Sequence, residues 1–200
     1  MDIQLKEEHT KESQVSPDWV ACKRIISGLK LTPNSLVLDV GSKDGKKAHY
    51  LITNSQILMS DVSKRNLSPF VLSDATNLPF RDNAFDLVTI LHVIEHIKNS
   101  KDALHEIYRV LKKDGIALIV TPNESRFTRV YSVILRIFAQ SPHKYPLNPD
   151  HVFEYSAKNV ESLMESSEFD DYQIDPVYMR ISYFLRIKKH CDQWLIIAKK

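Results

Sequence analysis

Three acids and a histidine pair occupy the positions where residue type and spacing could do chemistry in this chain. Asp39 opens the run Asp39-Val-Gly41-Ser42-Lys43-Asp44-Gly45. Gly41 allows a tight turn there, and Gly45 allows close packing where a helix begins. Asp61 stands about 20 residues beyond Gly41, the spacing at which a carboxylate can accept both hydroxyl hydrogens of a ribose. Asp74-Ala75 offers a third acid beside a small residue. Any one of these aspartates also fits a bland role, capping the next helix or turn. Three of them at three successive chain positions of the same kind point to a bound ligand. The run His92-Val-Ile-Glu95-His96 adds imidazoles that titrate near neutrality and suit proton transfer or metal ligation.

The elements that position these residues follow from apolar patterning. Residues 1–14 read as a solvated tail. Ser16-Pro17-Asp18 is a helix start, with a hydroxyl cap, proline at the first position and an acid in the first turn. Trp19, Ile25, Ile26 and Leu29 give that helix its apolar face. Ser35 to Val40 is a continuous apolar run of the kind buried on both faces of a parallel sheet. A short helix from Lys46 to Ile52 follows, then strands at Ile57 to Ser60, Phe70 to Leu72 and Phe85 to Leu91. Lys101 to Lys113 is the clearest helix, with Ser100 as cap, Leu104, Ile107, Tyr108 and Leu111 on one face, and Gly115 as its stop. Ile116 to Thr121 is a fifth strand. Ser156 caps a helix through Glu165, and Tyr172 to Tyr183 and Trp194 to Ala198 are strand candidates.

This alternation predicts an α/β fold: a Rossmann-like, doubly wound, mostly parallel seven-stranded sheet with an antiparallel C-terminal edge strand. Ligands of such sheets sit outside the carboxyl ends of the strands, which is where Asp39, Asp61, Asp74 and His92 fall. With 200 residues, 43% of them apolar, the chain can bury one full core, so one domain over 1–200 is expected.

The net charge of +2 gives no electrostatic footprint for nucleic acid, which is an unlikely partner. Cys22 and Cys191 are far apart without metal-ligand spacing and fit a reducing cytoplasm. The N-terminus lacks an apolar signal core. The longest apolar stretch, Tyr131 to Ala139, is interrupted by Arg136 and too short for a bilayer, which takes about 20 residues. Cytoplasmic localisation is the expectation.

The segments VLDVGSKDG, LMSDVS, DATNLPF, FDLVTILHVIEHI and ALHEIYRVLKKDGIALIVTPN together resemble the class I S-adenosylmethionine-dependent methyltransferases. They are most similar to the group that includes ubiquinone-pathway and related small-molecule enzymes. The resemblance is strong over residues 35–122 and weaker to the end. It implies S-adenosylmethionine as cofactor. Asp39 and the loop of Gly41, Ser42, Lys43 and Gly45 would face its methionine half. Asp61 would hold the ribose and Val62 would lie on the adenine. Asp74 would meet the adenine amino group and Ala75 its ring edge. Leu91 and His92 would flank the sulfonium and the acceptor, with His92 and His96 as catalytic candidates. In the ubiquinone-type enzymes an acid takes the His92 position and joins the Glu-His pair on a divalent metal. His92, Glu95 and His96 are thus the alternative metal set, against a default of no metal. Glu95 and His96 as polar supports for their loop is the plainer role.

Lys43 departs from the family, whose loop usually carries a glycine there. A side chain at that place costs backbone freedom, so a non-catalytic cofactor-binding module serving a partner protein is the competing expectation. A nicotinamide-dependent oxidoreductase fits less well, because the loop is G-x-x-x-G and not G-x-G-x-x-G. The leading expectation is methyl transfer to a small-molecule or lipid-like acceptor. Residues 123–150 form a helical insert longer than a simple connection. Within it, 126–140 has an apolar stripe with arginines opposite. It would act as a lid over the acceptor, or as a surface meeting a membrane or a second subunit, or pack on the core. Acceptor identity and oligomeric state have no sequence signal.

Overall fold

A computed structural model describes residues 16–123, 152, 155–178 and 193–200. The tail 1–14, the proposed lid, Cys191 and the end of the Tyr172 to Tyr183 strand candidate lie outside the described residues. Helix α1 spans Pro17–Gly28, β1 Leu36–Val40, α2 Lys46–Leu51, β2 Gln56–Asp61, β3 Phe70–Leu72 and β4 Phe85–Leu91. A single 3-10 turn, Ile94–His96, leads to α3 at Ser100–Val110, β5 at Leu111–Pro122, α4 at Ala157–Glu165, β6 at Asp171–Val177 and β7 at Gln193–Lys199.

The seven strands form one sheet in the order β3-β2-β1-β4-β5-β7-β6. Strands β1 to β5 are parallel, and β7 enters antiparallel between β5 and β6 at the C-terminal edge of the sheet. The chain reverses its direction of travel across the sheet between β1 and β4, and a ligand crevice opens at such a switch point.

Alternation along the strands divides the core into two layers. Val37, Leu87, Leu91, Leu118, Val120 and Leu195 face one side, where Cys22 and Ile26 of α1 and Leu51 of α2 cover them. Leu38, Val88, Ile90, Ala117, Ile119 and Trp194 face the other, against Leu104 and Ile107 of α3 and Val160 and Met164 of α4. Both faces being covered explains why these strands read as unbroken apolar runs. Truncating a fully buried residue such as Leu104 would cost about 2–5 kcal/mol.

Three local expectations are corrected. The buried face of α1 centres on Asp18, Cys22 and Ile26, with Trp19 only half-buried. Helix α3 ends at Val110, before Lys113, because Leu111 is drawn into the ladder opposite Phe85 while Lys112 Nζ pairs with Asp86 at 2.8 Å. The left-handed residue of that turn is Asp114 (φ 64°), and Gly115 is needed because a Cβ would come within 2.8 Å of the Lys112 carbonyl. Ser100 begins α3 without capping it, since its hydroxyl donates to the Ile97 carbonyl. Ser156 does cap α4, accepting from the Asn159 N–H.

Candidate active site

The loop after β1 owes its shape to three residues in the left-handed region: Gly41 (φ 72°), Lys43 (φ 52°) and Gly45 (φ 73°). Lys43 therefore adopts the backbone conformation that favours glycine, and its exposed side chain leaves the loop intact. A Cβ on Gly41 would lie 2.3 Å from Val93 Cγ2, so that position cannot carry a side chain without rearrangement. The N–H groups of Gly41 and Ser42 donate to the Ser60 carbonyl at 2.8 and 2.9 Å. Ser42 Oγ donates to the Asp39 carbonyl at 2.7 Å and accepts from the Ser60 N–H at 3.1 Å. The loop is thus bound to the end of β2.

Asp39 is 3% exposed and accepts a 2.7 Å bond from Thr89 Oγ1. Burial raises its carboxyl above the ordinary value, and the hydrogen bonds only partly oppose this. Asp61 is arranged differently. Burial would raise its carboxyl, but bonds from the Ser63 N–H, Arg65 and the Lys43 N–H hold it below the ordinary value. Val62, next to it, is 72% exposed, an uncovered apolar face beside an ionised carboxylate.

Asp74 accepts from both the N–H and the hydroxyl of Thr76 with one oxygen, so it does form the local turn that its sequence allowed. Ala75 is buried behind it. The segment is braced from α3. Glu106 accepts the Leu78 N–H at 2.7 Å, while Arg109 donates to the Leu78 and Phe80 carbonyls and pairs with Glu106 and Asp82. The EIYR motif thereby positions the DATNLPF loop.

His92 leaves β4 in the left-handed region (φ 60°), with its N–H on the Val120 carbonyl at 2.8 Å. Its Nε2 lies 2.9 Å from Asp18 Oδ2, and its Nδ1 lies 3.8 Å from Glu95 Oε1. Burial would raise Asp18, but the bond to His92 and the charge of Lys47 outweigh it and hold the carboxyl low. Glu95 is 1% exposed and accepts from Thr121 Oγ1 at 3.3 Å, which ties the 3-10 turn to β5. His96 is exposed. His92, Glu95 and His96 are therefore not assembled as a ligand set, and no group of three or more metal-ligating side chains occurs among the described residues.

These residues border a cavity of about 510 Å³ that holds Asp18, Asp39, Gly41, Lys47, His92 and Gln193. A larger one, about 620 Å³, lies by Lys98, Tyr155 and Asn159 and includes none of the glycine loop. Sequence reasoning missed Asp18, Lys47 and Gln193. Lys47 Nζ donates to the Leu91 carbonyl at 3.2 Å; burial lowers its pKa, against the pull of Asp18, Asp39 and Glu95. The signal for Asp18 was its spacing of four from Cys22 and again to Ile26, one buried line along a helix.

A family model described as a methyltransferase domain matches residues 38–119. The domain match, the relatives and the fold support a class I S-adenosylmethionine-dependent methyltransferase. It is 25% identical over 169 residues to the ubiquinone/menaquinone biosynthesis C-methyltransferase UbiE of Pseudomonas fluorescens, covering 74% of this chain and 66% of that protein. It is 26% identical to a demethylmenaquinone methyltransferase of Thermotoga maritima, over 80% of each chain. The S-adenosylmethionine-dependent methyltransferase structure from Archaeoglobus fulgidus superposes with a TM-score of 0.66 at 19% identity, covering 91% of this chain and 92% of that one. The methyltransferase chain spans 46% to 80% of the length of these and similar curated relatives. The family's cofactor is S-adenosylmethionine. The tight left-handed turn at Gly41, the Asp61 carboxyl held below its ordinary value and the uncovered Val62 fit such a molecule.

Proposed function

We propose that this methyltransferase moves the methyl group of S-adenosylmethionine to a small, lipid-like acceptor carrying a ring hydroxyl, of the hydroquinone kind. The observation that carries the reading is His92, an imidazole at the carboxyl end of β4 beside the glycine loop, inside the cavity that Asp39 and Gly41 also line. The relatives named for ubiquinone and menaquinone synthesis support the acceptor class.

When bound, the cofactor supplies a methyl group made electrophilic by its sulfonium. Asp39 and the 41–45 loop would hold the methionine half, Asp61 the ribose hydroxyls, Val62 the adenine face, and Asp74 and Ala75 its edge. His92 would take the proton of the acceptor hydroxyl as the ring becomes nucleophilic, at oxygen or at the adjoining carbon. In-line placement of acceptor and methyl supplies much of the remaining rate. Lys43 takes the left-handed conformation that glycine favours, which supports the catalytic reading over a non-catalytic cofactor-binding module.

No helix among the described residues is long and apolar enough to cross a membrane. Contact with a greasy acceptor or with a membrane surface falls to residues 126–140 in this proposal. The test is incubation of the protein and S-adenosylmethionine with demethylmenaquinol and simple hydroquinones, read by mass spectrometry. A product heavier by one methyl group, with equimolar S-adenosylhomocysteine, supports the reading. Cofactor binding without any methylated product from this class would overturn the acceptor assignment.

A further inference from the structure

The cavity contains a pairing that the quoted family motifs do not account for: Asp18, from the first turn of α1, against His92, 74 residues later. A neutral imidazole carries one N–H and one lone pair, and its partners decide which nitrogen has which. An ionised carboxylate only accepts. With Asp18 Oδ2 at 2.9 Å from Nε2 and its carboxyl held in the charged range, the proton belongs on Nε2. The lone pair is then on Nδ1. That atom is buried and has no hydrogen-bond partner. Its nearest carboxylate, Glu95 Oε1, is 3.8 Å away, beyond hydrogen-bond range.

We propose that Asp18 is the positioning residue of an Asp18–His92 pair and that Nδ1 of His92 is the base nitrogen. The inference rests on the reading of His92 as the acceptor-side base. The backbone N–H of His92 on the Val120 carbonyl fixes the main chain, and Asp18, whose helix is fixed to the sheet by Cys22 and Ile26, holds the ring. The groups facing the ring are Asp18 from α1 and Glu95 from the 3-10 turn, with Lys47 of α2 and Asp39 of β1 lining the same cavity. Three carboxyl groups and one ammonium thus surround the imidazole in this cavity.

The step balances as follows for an oxygen acceptor. The hydroxyl proton passes to Nδ1, the oxygen lone pair forms the bond to the methyl carbon, and the carbon–sulfur pair returns to sulfur as S-adenosylhomocysteine. The imidazolium that results lies between Asp18 and Glu95. A neutral hydroxyl-bearing acceptor fits this arrangement, because an acceptor that arrived as an anion would meet three carboxylates and bring no proton for Nδ1.

The experiment is long-range nitrogen–proton correlation NMR of the histidine rings of the full chain at alkaline pH. His92→Gln identifies the His92 signals, since the chain has eight histidines. The wild type should show the Nε2–H form. In Asp18→Asn the amide can donate to Nε2, so Nδ1–H should rise from the minor to the major form, and Asp18→Glu should restore Nε2–H. Binding of S-adenosylhomocysteine serves as the check of folding. If Asp18→Asn does not fold, Asp18→Ser is read in its place. A wild type in the Nδ1–H form, or a variant whose tautomer is unchanged, overturns the inference. A tautomer switch alongside normal turnover in His92→Ala would leave the pair standing and remove the base role instead.

Discussion

The N–H of Lys43 donates to Asp61 Oδ2 at 3.1 Å, joining the loop after β1 to the carboxylate at the end of β2. Because the bond comes from the backbone, it depends on the left-handed conformation of Lys43 and not on its side chain. For an L-residue that conformation costs about 1–2 kcal/mol, whereas glycine adopts it freely but gives up about 0.5–1 kcal/mol through its larger loss of chain entropy. Lys43→Gly should therefore raise stability by up to about 1 kcal/mol and leave S-adenosylhomocysteine affinity within a few-fold. Denaturant titration and calorimetry measure the two quantities. Loss of stability in Lys43→Gly would mean that the lysine side chain, and not the backbone, holds the loop.

Asp61→Ala should weaken S-adenosylmethionine and S-adenosylhomocysteine binding by about 1–3 kcal/mol, since buried ribose hydroxyls would lose a charged partner. NAD should not bind. The carboxyl of Asp61 is held below its ordinary value by the Ser63, Arg65 and Lys43 donors. Its contribution to stability is thus present above the unfolded-state carboxylate range and lost as pH falls through the depressed folded value. Acid unfolding of the variant should accordingly show a shallower pH dependence than that of the wild type. Tight NAD binding would contradict the cofactor assignment.

Arg109 gathers the 78–82 segment onto α3 through two carbonyls and two carboxylates, Glu106 and Asp82. Arg109→Ala should cost about 1–3 kcal/mol of stability and also weaken cofactor binding, because Asp74 and Ala75 lie at the start of the same segment. Arg109→Lys should recover little, as an ammonium cannot fork to four acceptors. A variant as stable as the wild type would show that the loop is held by its apolar contacts alone.

Much of this arrangement was legible in the chain itself, and the parts that were not share a cause. Strands β3 and β4 and helix α4 lie at their expected bounds, since apolar runs and a serine cap are local signals. Asp18 was legible only as a first-turn acid complementing the helix dipole, because its partner is 74 residues away. Lys47 was hidden in the Lys46-Lys47 pair, which looks like a solvated helix start until the packing of α2 turns one ammonium inward and leaves the other exposed. Asp114 replaced Gly115 as the left-handed residue because the ladder captured Leu111, a long-range event. Short-range patterning thus located the strand ends. Which polar residues turn toward one another across them depended on tertiary packing.

His92→Ala should lower turnover by about 10²- to 10⁴-fold on a hydroxyl acceptor while S-adenosylhomocysteine affinity changes little. Chelator should leave the activity unaltered if the ring works as a base, given that its Nε2 is already on Asp18. Activity abolished by chelator and restored by a divalent cation would return His92, Glu95 and His96 to the role of ligands. Steady-state kinetics with and without chelator separate the two chemistries.

Asp39 gives a test that needs no acceptor. Burial raises its carboxyl, so in the free protein it holds its proton to higher pH than an exposed aspartate does. The sign of the linkage is then opposite to that of Asp61. Its protonated form favours the fold, and that contribution declines as pH rises through the raised folded value. A cofactor whose methionine half presents an ammonium beside Asp39 favours the ionised form. Binding at mildly acidic pH should therefore release a proton, and the release should vanish as pH rises and the carboxylate is already charged. Calorimetry in buffers of different ionisation enthalpy counts that proton directly. Asp39→Asn should remove that release, and it should weaken binding most at the pH where the release has vanished and the wild-type carboxyl is charged. If binding is independent of buffer at every pH while affinity falls in Asp39→Asn, the residue already meets the cofactor as a carboxylate. In that event its bond from Thr89 outweighs burial.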